Sequence, residues 1–361
     1  MTHPTHSTHS THPAQPTGTA PQPTRTPIES TRTPANSTGT PALSSRTRDL
    51  PTRTPALPSG TPDLPTRAPD PVRPRLGYGT NGLTDLRLDD ALALLADLGY
   101  DGVGLTLDHM HLDPLAADLP ARTARIARRL DALGLTVTVE TGARYVLDPR
   151  RKHGPSLLDP DPDARAARTR LLRTALRVAE DLGAHAVHCF SGTTPEGTDT
   201  PTAWKRLADA LTPLLDAAAA ARVPLAVEPE PGHLLATLDD FHHLRGLLGS
   251  PDPDLLGLTL DLGHCHCLEP LPPADCLRAA APWIHHLQIE DMRRGVHEHL
   301  PFGDGEIDFP PLLAALTELT AAGYPGLTVV ELPRHSHAGP ELARASHHFL
   351  SSLLREEAAA C

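Results

Sequence analysis

Aromatic residues make up only 3% of this 361-residue chain, and lysine occurs just twice, at Lys152 and Lys205, among 32 basic side chains. So few lysines beside so many arginines fit a coding bias and assign no function. Five cysteines, at positions 189, 265, 267, 276 and 361, form no CxxC pair. The spacing therefore encodes neither a disulfide framework nor a zinc site built from separated pairs. The run His264-Cys265-His266-Cys267 does not alter this, because consecutive residues do not readily converge on one tetrahedral ion. No stretch approaches the ~18 uninterrupted apolar residues of a membrane span, and the N-terminus has no apolar signal core. These absences lead to the expectation of a cytoplasmic protein with no membrane partner.

What is present divides the chain in two. Residues 1–74 are mostly Thr, Pro, Ser and His, with TRTP at Thr24, Thr31 and Thr52 and histidines at positions 3, 6, 9 and 12. Such a segment cannot bury enough apolar surface to offset the entropy of ordering it, so a disordered low-complexity tail is expected. The period-three histidines are read as solvated. Seven arginines against four acids give the tail +3, so the chain's −12 leaves −15 on residues 75–361. A region that acidic lacks the local positive charge that nucleic-acid binding requires.

From Leu76 short β-like runs alternate with amphipathic helical stretches. The runs are LGYGT (76–80), GVGLTL (102–107), LTVTVE (135–140), AHAVHCF (184–190), PLAVE (224–228), LGLTLD (256–261), IHHLQIE (284–290) and LTVVE (327–331). Between them lie LDDALALLADLG, ARTARIARRLDALG and ARTRLLRTALRVAEDLGA, patterns that close on the glycines common at helix C-termini. Asp308 is expected to cap the helix that follows FGDGEIDF. Parallel strands need a crossover helix, so eight β-then-α units point to an α/β fold closed as a (β/α)₈ barrel over residues 75–361. A doubly wound open sheet is the alternative, but Gly77, Gly79 and Gly82 do not form its GxGxxG phosphate loop.

Chemistry in such barrels sits where the strands end. Four successive strand ends carry oxygen donors, Glu228, Asp261, Gln288 and Glu331, at spacings of 33, 27 and 43 residues. Alternation turns all four toward the barrel axis and leaves Val227, Leu260, Leu287 and Val330 facing the helices. Three carboxylates in one small space repel one another unless a counter-charge is present. A divalent cation meets that need. Oxygen donors suit Mn²⁺ or Mg²⁺, and a nearby histidine would admit Co²⁺ or Zn²⁺. Glu140 and Glu230 also point inward, where loop arginines would pair with them.

The motifs LTLDLGHC, HLQIED followed by HEHLPFGDGEIDF, and VVELPRH resemble the sugar phosphate isomerase/epimerase family, within the xylose isomerase-like TIM barrel superfamily. The resemblance covers nearly all of residues 75–345. It implies a divalent site of Glu228, Asp261, a third ligand on the seventh strand, and Glu331. Many members carry histidine at the third position; here it is Gln288, similar to the dehydroshikimate dehydratase branch, with His286 as a deeper alternative. By the same resemblance Glu228 and Glu331 are both ligands and proton carriers. The implied activity is isomerisation or epimerisation, by proton transfer beside a carbonyl of a sugar, sugar phosphate or polyol derivative. A dehydratase on the same site and a non-catalytic metabolite-binding barrel are the alternatives. His264, His297 and His299 are expected to contact the small-molecule substrate. Arg144, Arg293 and Arg334 would serve an anionic group, since guanidinium forks match phosphate and carboxylate. The oligomeric state stays open.

Overall fold

The computed structural model describes residues 73–360. The expected disordered tail lies outside these residues, apart from Arg73 and Pro74. In chain order the elements are β1 (Leu76–Gly79), α1 (Leu88–Leu98), β2 (Gly102–Thr106), α2 (Leu119–Leu133), β3 (Thr136–Glu140), α3 (Pro162–Leu182), β4 (Val187–Phe190), α4 (Thr200–Ala221) and β5 (Leu225–Glu228). There follow α5 (Leu238–Leu247), β6 (Leu256–Asp261), α6 (Leu262–Leu268), α7 (Pro273–Ala280), β7 (Ile284–Ile289), β8 (Asp291–Arg293), β9 (Val296–Leu300), α8 (Phe309–Ala321), β10 (Thr328–Val330) and α9 (Gly339–Ala360). Strands β1 to β7 pair in sequence, each parallel to the next, and β10 joins β7 to β1, with Leu76 opposite Thr328. The result is the closed eight-stranded barrel that the alternating pattern predicts.

Local chemistry sets the element ends. Gly99, Gly134 and Gly183 follow α1, α2 and α3 with φ of +92°, +68° and +63°, a conformation glycine adopts without a Cβ penalty. Asp308 does occupy the N-cap position of α8, yet its side chain makes no capping bond. The reason lies in FPPLL: a cap accepts from the second or third helical N–H, and here those residues are Pro310 and Pro311, which have none. The segment after β7 forms an antiparallel hairpin of β8 and β9. Buried Asp291 organises the turn beyond it, accepting from the backbone N–H groups of Met292 and Ile307 on one oxygen and of Gly303 and Gly305 on the other.

Val227, Leu260, Leu287 and Val330 join the buried layer between strands and helices, as alternation requires. Inside the barrel the first two strands present glycine. Gly102 and Gly104 on β2 leave room for Thr136, Leu327, Val329 and the Glu140 carboxylate, and a Cβ on Gly104 would collide with Glu140 Oε1. Glu140 cannot easily withdraw, because it accepts from Thr106 Oγ1 at 3.0 Å and contacts His286 Nε2 at 3.2 Å. No helix among the described residues is long and apolar enough to cross a membrane. Overpacking of this kind destabilises by roughly 1–3 kcal/mol. Gly104→Ala is therefore predicted to lower the urea midpoint by that equivalent with the slope unchanged; an unaltered midpoint would show that Glu140 is free to move.

Candidate active site

The polar groups inside the barrel form two tiers. In the deeper one, Glu140 is held by Thr106 and by His286 rather than by a loop arginine. His286, engaged there, leaves the outer position on β7 to Gln288. The outer tier holds the strand-end residues. Glu228, at the end of β5, lies 2.6 Å from His188 Nε2 through its Oε2. The N–H of Thr141 donates to His188 Nδ1 at 3.3 Å, so Nδ1 is the acceptor and Nε2 carries the proton donated to Glu228. Oε1 of Glu228 lies 3.3 Å from His264 Nδ1, outside hydrogen-bond geometry.

Asp261 ends β6 and caps α6, accepting from His264 N at 2.9 Å through Oδ1, while Oδ2 is unpartnered. Gln288 Oε1 is buried and unpartnered too. Two residues further on the same face of β7 lies Glu290, fully buried, with neither oxygen hydrogen-bonded. Glu331, just past β10, accepts from Asn81 Nδ2 at 3.0 Å, and its Oε2 is 3.9 Å from His299 Nδ1. Strand β9 delivers His297 and His299 over this tier. His264 lies on the first turn of α6, with Nδ1 3.1 Å from Pro229 O and Nε2 3.1 Å from His297 Nε2.

The crowding polarises the carboxyls. Burial favours protonation of Glu228, but His188 and His264 outweigh it and hold this carboxyl well below the usual range. Burial, then Asp261 and Glu331, push Glu290 well above that range. Burial, then Glu228 and Glu140, do the same to Glu331, and burial with the Glu228 charge raises Asp261 against the opposing pull of His264. Burial and the charge on His264 bring His297 down to about 4 and His299 further below its ordinary value.

A cavity of about 250 Å³ opens above this tier. Glu228, Glu331, His297, His299, Arg144 and Arg334 all line it. Asp261, Gln288 and His264 are buried and do not reach its wall. Arg293 does not reach it either: it is exposed on β8, with Nη1 3.3 Å from Glu298 Oε1. Lys152, His188 and Asn81 are among the further residues of the wall.

Donor chemistry fits a divalent cation. Ligand atoms of Asp261, Glu290, His299 and Glu331 lie within 4.8 Å of one another, as do those of Glu228, Glu230 and His264, and those of His264, His297 and His299. Buried carboxylate oxygens without partners are what a cation would satisfy.

The sequence profile of the family described as xylose isomerase-like TIM barrel matches residues 92–353. The chain belongs to this family. Among its relatives, the L-ribulose-5-phosphate 3-epimerase UlaE of Salmonella paratyphi C is 25% identical over 261 residues, covering 71% of this chain and 86% of the relative. The enzyme of that name from Escherichia coli K12 is also 25% identical, over 259 residues, with 71% and 86% covered. Among solved structures, the 3-keto-D-glucoside 4-epimerase YcjR from E. coli superposes with a TM-score of 0.61 at 16% identity, covering 78% of this chain and 100% of that one. The IolI protein with a bound zinc atom superposes with a TM-score of 0.60 at 18% identity, covering 78% and 98%. Identities this low for the solved structures establish a common barrel.

Within this xylose isomerase-like barrel, Glu290, His188, Asn81 and Lys152 are site residues that the sequence reading did not single out. Alternation from Gln288 carries the signal for Glu290, and that from Phe190 the signal for His188. Asn81 and Lys152 lie on connecting segments, where no periodicity applies. A test follows from the raised Glu290 carboxyl. In unfolded chain it titrates normally, so the folded parent loses stability as pH rises from the ordinary carboxylate range toward the raised value. Gln does not titrate. Chelator-treated Glu290→Gln protein should melt above the parent, by a margin that widens from pH 5 to pH 8; a constant or inverted margin in thermal denaturation would contradict the burial argument.

Proposed function

We propose that this chain is a divalent-metal-dependent epimerase or isomerase that moves a proton next to the carbonyl of a sugar or sugar phosphate. The observation that carries the reading is the set of buried carboxylate oxygens without a hydrogen-bond partner on Glu228, Asp261 and Glu290, at neighbouring strand ends, with a ligand atom of Glu331 within 4.8 Å of those of the latter two. Glu228, Asp261, Gln288 and Glu331 would hold the cation, with Mn²⁺ or Mg²⁺ suited to the oxygen donors. Bound there, it would polarise the substrate oxygens and stabilise the negative charge that proton removal creates.

The chain's own residues divide the proton work. Glu228 is kept ionised by His188 and His264, so it is the base. Its Oε2 is tied to His188, and Oε1, with only His264 Nδ1 beside it at 3.3 Å, is the oxygen to meet the substrate C–H. With no cation bound, burial and acidic neighbours raise the Glu331 carboxyl; three strands away around the barrel from Glu228, it is the group placed to return the proton. Return of the proton to the opposite face of the same carbon gives epimerisation; return to the neighbouring carbon gives isomerisation. His297 and His299, neutral at the cavity wall, can hydrogen-bond substrate hydroxyls.

Arg144, Lys152 and Arg334 share the rim of the cavity, and none of the three is ion-paired to a carboxylate among the described residues. In a region of net charge about −15, they suit a phosphorylated substrate. The names of the curated relatives agree with that class.

The test is solvent exchange. Incubated in D₂O with Mn²⁺ and L-ribulose 5-phosphate or an unphosphorylated ketose, the protein should place deuterium at the carbon beside the carbonyl. Glu228→Gln and Glu331→Gln should each slow this by about 10²–10⁴-fold, the range for loss of a positioned acid or base. Elimination of water without exchange would favour a dehydratase, and metal binding without exchange into any ketose would favour a binding protein.

A further inference from the structure

Glu290 has no place in the donor set just described, yet it is the most confined acid of the site. It is fully buried, neither oxygen has a hydrogen-bond partner, and among the described residues no lysine or arginine pairs with it. The fold makes room for it. A Cβ on Gly263, in the first turn of α6, would collide with Glu290 Oε1 and come within 2.9 Å of Met292 Cε. Burying a carboxylate this way is strongly unfavourable unless a positive charge or strong donors meet it. Its neighbours are ligand-type atoms: those of Asp261, Glu331 and His299 lie with its own inside 4.8 Å, and His299 Nδ1, 3.5 Å from Glu290 Oε1, is itself buried and unpartnered.

We propose that Glu290 is a ligand of the cation site, binding the ion together with Asp261, Glu331 and His299. This rests on the metal-dependent reading above and adds to its ligand set. Gln288, opposite Asp261 in the β6–β7 register, offers a neutral and weak amide oxygen. Glu290, one inward position nearer the mouth of the same strand, supplies the anionic oxygen that an amide does not. Glu290 adds an anionic oxygen to the donors around the ion, which suits Mn²⁺, and the His299 nitrogen admits Co²⁺ or Zn²⁺ beside it.

The rival role for Glu290 is structural, a protonated carboxyl that merely orients Asp261. Glu290→Gln separates the two, since a glutamine amide can still donate to Asp261 but brings no charge to the ion. The untagged full chain is stripped with chelator and titrated with Mn²⁺ by calorimetry, alongside Glu290→Gln and Gln288→Ala, with melting curves of the stripped proteins as the check on folding. Loss of an outer partner of a ligand weakens metal binding about 10–100-fold, so loss of a ligand should cost ~100-fold or more. The proposal expects that loss in folded Glu290→Gln, and a smaller one in Gln288→Ala. If Glu290→Gln binds Mn²⁺ within about threefold of the parent, Glu290 is not a ligand while the cation site survives. If the parent itself takes up no more Mn²⁺ than a Glu331→Gln protein, the metal-dependent reading falls and this inference with it. The histidines at positions 3 to 12 are common to all these proteins and cancel in the comparison.

Discussion

Carboxylates buried together without a counter-charge are the constraint on which the site depends. Asp261, Glu290 and Glu331 stand close enough to hold one another protonated, while Glu228 escapes only because His188 and His264 flank it. Asp261 and Glu331 each accept one hydrogen bond, from His264 N and Asn81 Nδ2, but no lysine or arginine pairs with any of the three among the described residues, and their ligand atoms share the same space. A divalent cation would resolve the repulsion and at the same time supply the electrophile that the proposed proton transfer beside a carbonyl needs. On the proposed reading, the crowding of acids and the catalytic function have a single cause.

The barrel tolerates this because its other parts are arranged around it. Glycines on β2 leave space for Glu140, whose bonds to Thr106 and His286 fill the deeper tier and seat the outer one above it. Gly263 does the same for Glu290. On the far side of β7, one buried carboxylate, Asp291, gathers four backbone N–H groups and fixes the turn below the hairpin that carries His297 and His299. Asp291 and Glu290 are adjacent acids with opposite fates. Asp291 is satisfied by the backbone and is structural; Glu290 receives no backbone N–H and faces the Asp261 carboxyl and His299.

Much of this was legible in the residues. Eight runs of period two separated by helical stretches gave the closed barrel, and alternation put Glu228, Asp261, Gln288 and Glu331 at its mouth, because side-chain direction in a strand depends only on parity. What parity does not encode is partnership across the barrel. The His188–Glu228 bond joins residues 40 apart and the His286–Glu140 contact residues 146 apart. Neither spacing carries a local signal. The hairpin escaped notice because DMR is only three residues long and its turn lacks the usual Asn-Gly pair. Arg293, read as facing substrate, turns instead to Glu298 across that hairpin, and the Asp308 cap fails for want of donors in two prolines.

Anomalous diffraction from crystals of the protein soaked in Mn²⁺ tests the central claim most directly. The account predicts one strong peak at the C-terminal mouth of the barrel, within about 2.5 Å of carboxylate oxygens from Asp261 and Glu331. Density that stays featureless there at saturating Mn²⁺, with the acids still protonated and facing one another, would contradict it.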